Sequence, residues 1–178
     1  MQVIANNLAN VNTTGFKADR ANFESLLYQI LRGAGDNTSE NTSLTSGLSV
    51  GTGTRLLNTS KLHTQGSLIN TGNSLDISIE GDGFFQVLLP DGRVAYTRSG
   101  AFSRNAEGTV TTASGYAIQP EITIPPEVLS INISSDGIVS VQLPGAVDAE
   151  EVGQITLADF PNRQGLQPNG ESMLLETP

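Results

Sequence analysis

Three carboxylates close together in the chain, Asp76, Glu80 and Asp82, are the residues whose type and spacing come nearest to chemistry. The run Asp76-Ile77-Ser78-Ile79-Glu80-Gly81-Asp82-Gly83 superficially matches two patterns. One is a calcium loop, which needs several oxygen ligands around one ion, and the other is a glycosidase pair, which needs two carboxyls flanking one bond. Alternation argues against both. Leu75, Ile77 and Ile79 alternate with Asp76, Ser78 and Glu80, so an extended segment points the apolar side chains to one face and the polar ones to solvent. Carboxylates spread along a solvated face do not converge on an ion or a substrate. His63 is the single histidine, set between Leu62 and Thr64 in a strand-like run where packing or surface exposure accounts for it. Cysteine is absent, as are a Gly-x-Ser-x-Gly elbow and a phosphate-cradling glycine loop. The Asn-x-Ser/Thr tripeptides at Asn12, Asn37, Asn41, Asn58 and Asn132 are what chance gives in a chain so rich in these residues. The expectation is a protein that is not an enzyme and that uses no metal and no cofactor.

A second constellation lies at the start, Ala5-Asn6-Asn7-Leu8-Ala9-Asn10-Val11-Asn12-Thr13-Thr14-Gly15-Phe16-Lys17. Ile4, Leu8 and Val11 recur at the spacing of one helical face, yet asparagine is a weak helix former because its side chain competes for backbone groups. Amide side chains carry donors and acceptors together, so Asn6, Asn7 and Asn10 suit contacts between chains that bury no charge. The spacing predicts a helix ending near Thr13-Thr14, with Gly15 as its left-handed cap and Phe16 folding back.

The elements that position these residues are predicted to be mainly β. A second short helix is expected over Asp19 to Gly33, because Phe23, Leu26, Leu27, Ile30 and Leu31 share one helical face. From Gly33 to Gly53 the composition turns to Gly, Ser, Thr and Asn, which reads as a polar linker or an arm that orders against a partner. Period two then takes over: a strand pair or long edge strand over Thr54 to Gln65, and a half-buried antiparallel strand over Leu75 to Glu80. Hairpins are predicted around Asp91-Gly92, Glu107-Gly108 and Asp136-Gly137, where the glycine supplies positive φ. Pro125-Pro126 is expected to mark a change of sheet. The predicted fold class is thus an irregular antiparallel β domain with an N-terminal α-helix and an extended polar arm. Its divisions are 1–32, 33–53 and 54–178.

Composition bounds the function. The 178 residues are 37% hydrophobic and 15% charged, with 19 Gly and 8 Pro, as in a turn-rich β protein with a modest core. A net charge of −9, without a Lys/Arg cluster, argues against a nucleic-acid surface. No window is long and apolar enough for membrane insertion, and the start lacks the charged and apolar regions of a secretory signal peptide.

The asparagine-rich opening resembles the N-terminal signature of bacterial flagellar rod and hook proteins. A second block, Thr71-Gly72-Asn73-Ser74-Leu75-Asp76-Ile77-Ser78-Ile79-Glu80-Gly81-Asp82-Gly83-Phe84-Phe85, is similar to that family's shared core motif. A third, Tyr96-Thr97-Arg98-Ser99-Gly100-Ala101-Phe102-Ser103, resembles its "YTRxGxF" strand. Leu26-Leu27-Tyr28-Gln29, Gly51-Thr52-Gly53 and Asp136-Gly137-Ile138-Val139 look most like the distal rod members. The resemblance implies a structural axial subunit that self-assembles helically as a homo-oligomer and transmits torque to the hook. It implies Ile4, Asn6, Asn7, Leu8, Asn10, Val11, Gly15, Phe16, Lys17 and Tyr28 at the assembly interface. The core motif it carries over is Gly72, Asn73, Leu75, Asp76, Ile79, Gly81, Gly83, Phe84 and Phe85. The implied partners are other rod subunits, hook or hook-junction proteins, the ring bushing and the flagellar type III export apparatus. The implied location is the rod that spans the periplasm, reached without a cleaved signal peptide. Family members extend further at both ends, so the resemblance also implies truncation at both ends and loss of the C-terminal helix that pairs with the first. The segment Tyr28 to Gly53 is similar to a distal-rod arm that bridges neighbouring subunits and stiffens the shaft.

Overall fold

The computed structural model describes residues 1–32, 34, 37–39, 42–43, 46–146 and 148–177. The chain divides into two compact units: 1–5 with 18–62, and 6–17 with 63–178.

One helix, α1 (Gln2–Ala9), opens the chain. It stops sooner than its apolar spacing predicts. Asn6 O still accepts from Asn10 N at 3.1 Å, and beyond it the bonds tighten to a three-residue step, Val11 N to Leu8 O at 3.4 Å and Thr13 N to Asn10 O at 3.0 Å. The Asn10 side-chain amide also donates to the Asn6 carbonyl at 2.9 Å, and Thr13 Oγ1 donates to Asn10 Oδ1 at 3.2 Å, so the asparagines add local bonds where the helix gives way to turns. Gly15 does adopt φ +71°, but it closes a separate turn in which Phe16 N donates to Thr13 O, rather than capping the helix.

In the first unit the expected second helix is absent. Asp19–Ser25 (β1) and Tyr28–Arg32 (β2) are strands, followed by β3 (Asn37–Ser39), β4 (Thr42–Ser43), β5 (Leu48–Gly51) and β6 (Thr54–Lys61). The pairing is nested: β1 with β6, β2 with β5, β3 with β4, all antiparallel. Leu26 N to Gly53 O and Thr52 N to Leu27 O carry the ladder across the gap between the outer and middle pairs. From Asp19 to Arg32 this makes one ribbon of roughly 45 Å, at about 3.3 Å per residue. Helical spacing was misleading because partner strands, from 42 residues away at Asp19–Lys61 to 16 at Arg32–Leu48, supply ladder bonds to backbone that a short, poorly capped helix would leave half satisfied. The arm expected over Gly33 to Gly53 is in part the two sides of this ribbon; residues 33, 35–36, 40–41 and 44–45 lie outside the described residues.

The second unit is a β domain. Its six-stranded sheet has the path β11 (Ile118–Gln119), β7 (Phe84–Leu88), β8 (Val94–Thr97), β17 (Met173–Leu175), β16 (Gln167–Gly170), with β15 (Leu157–Ala158) also on β7. A hairpin of β9 (Phe102–Arg104) and β10 (Val110–Thr112), and a three-stranded sheet of β12 (Ser130–Ile133), β13 (Ile138–Gln142) and β14 (Glu150–Gln154), complete it. The hairpins at Gly92, Gly108 and Gly137 occur where the Asp-Gly and Glu-Gly steps predict them, each glycine at positive φ. The Pro125-Pro126 step falls between β11 of the large sheet and β12 of the small one, as expected.

Leu75 to Glu80 is not a strand. Among the described residues its ladder contacts are the Asp76–Ala101 bridge and the bond from Ile77 N to Gly100 O. The predicted facing nevertheless holds: Leu75, Ile77 and Ile79 turn inward and Asp76, Ser78 and Glu80 are exposed. Phe85 and Ile79 join Phe102, Val110, Ile118, Ile122, Ile124, Val139, Val141 and Ile155 in the main core. Phe84, on the opposite face of β7, packs with Leu166, Leu174, Tyr96 and Phe160.

Candidate functional site

Within the β domain the three sequence blocks meet. The turn that ends the N-terminal block brings Gly15 so close to the third block that an added Cβ would lie 2.5 Å from Ser99 N. Gly100 in turn lies on the second block, where an added Cβ would lie 1.6 Å from Ile77 O. Lys17 Nζ donates to Thr64 O at 2.8 Å, and Arg98 Nη2 donates to Gly81 O at 2.7 Å. Burial first, and the Arg98 cation second, lower the Lys17 pKa. Backbone-to-backbone approach at two glycines therefore brings together three blocks that lie far apart in sequence.

The carboxylates do not converge. Asp76 accepts from Thr71 Oγ1 at 2.5 Å and from Asn73 Nδ2 at 3.0 Å, which ties the turn around Gly72. Asp82 pairs with Arg163, which also grips Asp159 through Nε at 3.0 Å and Nη2 at 3.1 Å. These two carboxylates push the Arg163 pKa up. Glu80 is exposed. Among the described residues no three His, Cys, Asp or Glu side chains group to hold a metal ion. What the acidic run does is structural: it fixes the loop that delivers Phe84 and Phe85 to opposite faces of β7.

His63 packs inside this neighbourhood. Its ring meets Phe84 edge-on at 5.8 Å between centroids, and Arg98 lies 5.4 Å above the same phenyl ring. Burial first, then the Lys17 and Arg163 cations, hold its pKa below the usual histidine value.

Comparison with known proteins follows the same blocks. Residues 1–17 match the family model described as flagella basal body rod protein, and residues 78–141 match that of the flagellar hook protein FlgE/F/G D1 domain. The flagellar basal-body rod protein FlgG of Buchnera aphidicola subsp. Schizaphis graminum is 51% identical over 177 residues, covering 99% of this chain and 68% of the relative. FlgG of Agrobacterium fabrum is 42% identical over 179 residues, covering 100% and 68%. The chain belongs to the FlgG family of flagellar basal-body rod proteins. A flagellar hook protein FlgE, from Treponema pallidum, is 43% identical but over only 120 residues, 67% of this chain and 26% of that one. The FlgG relatives are structural rod proteins, and the role of this chain is that of a structural subunit of the distal rod in the flagellar basal body.

In this FlgG chain the residues named for assembly fall into two groups. Ile4, Leu8 and Val11 are exposed, so the face they share is open, while Gly15 and Lys17 are built into the β-domain junction. Asn6, Asn10 and Thr13 bond one another as described above, whereas Asn7 and Phe16 make further interactions of their own. Tyr28 is exposed on the ribbon, its ring lying across Gly51. Of the core motif, Ile79, Phe84 and Phe85 are buried, and Gly81 and Gly83 take positive φ. Sequence reasoning missed Arg163, which bridges Asp82 and Asp159, and the steric role of Gly100. Arg163 gave no local signal, being 81 residues from Asp82.

Proposed function

We propose that this chain is a non-enzymatic axial subunit that stacks helically in the distal rod and transmits torque to the hook through many modest contacts between copies. The observation that carries this reading is the ribbon. With constant pairing from Phe23–Leu56 to Ile30–Ser49, alternation sets Phe23, Leu27, Val50 and Leu56, together with Leu48, on one face. All five are exposed, Leu27 at 88%. An isolated two-stranded ribbon is marginal in water, and an exposed apolar stripe of this length fits a surface made to be covered. Burying each such side chain is worth about 1.5–3 kcal/mol, so a few of them against a neighbouring copy suffice for a stiff lateral contact. The open face of Ile4 and Leu8 fits a second helix in the same way.

On this reading the N-terminal helix and the ribbon of 18–62 serve assembly, so the expected division at 53/54 moves to the end of β6, and 63–178 forms the body of the subunit. Its partners are other rod subunits, hook or hook-junction proteins, the ring bushing and the flagellar type III export apparatus, and its setting is the part of the rod that crosses the periplasm. The acidic β domain supports a low-adhesion outer surface: 14 carboxylates against 5 cations in the second unit, with the first unit balanced at 4 each. The test is deletion of residues 28–53 from the encoding gene, with the polymers viewed by electron microscopy. Flexible, hook-like polymers are expected. A straight rod indistinguishable from the parent would overturn the assignment of the arm.

A further inference from the structure

The chain crosses from the β domain into the ribbon after Lys17 and returns at His63. These crossings are joined by the bond from Lys17 Nζ to Thr64 O, and the residue between Leu62 and Thr64 is the one histidine of the protein. Both ring nitrogens of His63 are buried, and among the described residues neither makes a hydrogen bond of good geometry, although the Arg163 main chain is close enough to act on the ring; Arg98 Nε is likewise buried without a bond. The ring instead rests edge-on against Phe84, a side chain 1% exposed.

The charged groups facing His63 are nearly all of one sign. Lys17 approaches from the first crossing, Arg98 from the end of β8, and Arg163 from the short 3-10 turn Arg163–Gly165. The Arg163 main chain alone favours a proton on the ring. The carboxylates beside these cations, Asp82 and Asp159, are already engaged by Arg163 and also act on Arg98. In a domain with nearly three carboxylates per cation, three of its five cations surround its one histidine.

We propose that His63 is a proton-operated clasp: neutral, it seals the chain crossings at Lys17 and Thr64 onto Phe84, and protonated, it releases them. A charged imidazolium in this place must be desolvated with no acceptor beyond the Arg163 main chain while facing three cations, and opening the segment returns it to water. The direction is fixed by linkage. The closed form binds the proton less well than the open form, so closure is fully favoured above pH 6.5 and weakens as pH falls below it. Each unit by which the midpoint of the closed form lies below 6.5 weakens closure about tenfold once the ring is fully charged.

With one histidine the test is direct. The imidazole resonances are titrated by NMR from pH 8 to 4.5 in the whole chain, alongside amide hydrogen exchange at Thr64 and Gln65, corrected for intrinsic rates. The expected result is a midpoint below 6.5, with the Phe84 ring and Thr64 amide signals moving at that same midpoint and exchange at Thr64 rising as the ring is charged. In His63→Phe, which keeps a ring against Phe84 but cannot titrate, the pH dependence at Thr64 should vanish. A midpoint at or above 6.5 overturns the proposal, as do Phe84 and Thr64 signals that ignore the titration. Both readouts come from the unaltered protein, so they decide the proposal even where the variant fails to fold.

Discussion

Gly100→Ala is the sharpest perturbation of the junction. Gly100 lies outside the left-handed region, so alanine costs nothing there in backbone strain and the effect is steric. The new methyl would sit 1.6 Å from Ile77 O and 3.3 Å from the Phe85 ring. Carbon and oxygen in contact need about twice the first distance, so the second and third sequence blocks must move apart by more than an ångström. That breaks the 2.9 Å bond from Ile77 N to Gly100 O and the adjoining Asp76–Ala101 bridge. Overpacking costs about 1–3 kcal/mol and a hydrogen bond lost from a shielded site about 1–3 kcal/mol, giving roughly 2–6 kcal/mol in all. At about 2–4 °C per kcal/mol for a chain of this size, the β domain should melt roughly 10 °C lower. Urea unfolding followed by near-UV circular dichroism and a thermal scan read the two quantities. Gly66→Ala is the control: that glycine also avoids positive φ and has open space around its Cβ position, so the change should leave stability level or slightly higher. If Gly100→Ala falls within about 1 kcal/mol of the parent, the idea that close backbone contact at Gly100 holds the blocks together is wrong.

Other outcomes follow from the same geometry. Phe84→Ala empties a site walled by Leu166, Leu174 and Phe160 and should cost about 3–5 kcal/mol in urea unfolding. Phe23→Ser with Leu27→Ser and Leu56→Ser should leave β-domain melting unchanged yet abolish rod assembly when placed in the encoding gene, read as loss of swimming and of rods in basal-body preparations. Thr97→Val removes a hydroxyl, 1% exposed as a residue, that donates to Ser172 O and accepts from Ser99 N; a loss of about 1–3 kcal/mol is expected in the same unfolding assay. The Asp159 pKa is held down by its bonds to Arg163, so its contribution to stability is complete above pH 3.8 and disappears as pH falls through the depressed value. Arg163→Gln should flatten that acid-side slope in unfolding measured from pH 5 to 2.

Much of the β domain could be read in the chain because its signals are local. Asp91-Gly92 and Asp136-Gly137 each encode a turn by the positive φ that glycine tolerates, and the alternation over Leu75 to Glu80 encodes which side chains face in. That alternation also disposed of the carboxylates, since Asp76, Ser78 and Glu80 face out. What the chain did not reveal is pairing at a distance. Phe23, Leu26, Leu27, Ile30 and Leu31 satisfy a helical period as well as a strand, and only β5 and β6 decide between them by offering ladder partners. The tightening of α1 into turn bonds, Val11 N to Leu8 O and Thr13 N to Asn10 O, leaves no mark in the apolar period. The meeting of Gly15 with Ser99, and of Gly100 with Ile77, was invisible for the same reason: a glycine needed for closeness looks like a glycine needed for a turn.

The nested register of the ribbon also restricts how its length can change. Because facing alternates residue by residue, inserting or deleting a single position on one side inverts every side chain beyond it and turns Leu27 or Val50 to the opposite face. Where one extra residue is present, at Leu57 and Leu31, the ladder absorbs it as a local shift of register. Natural or engineered ribbons of other lengths should therefore differ by matched changes on both sides, or carry a bulge beside any unmatched one. The reach of the ribbon is quantised in residue pairs of about 3.3 Å, and any contact made through it can be retuned only by such steps.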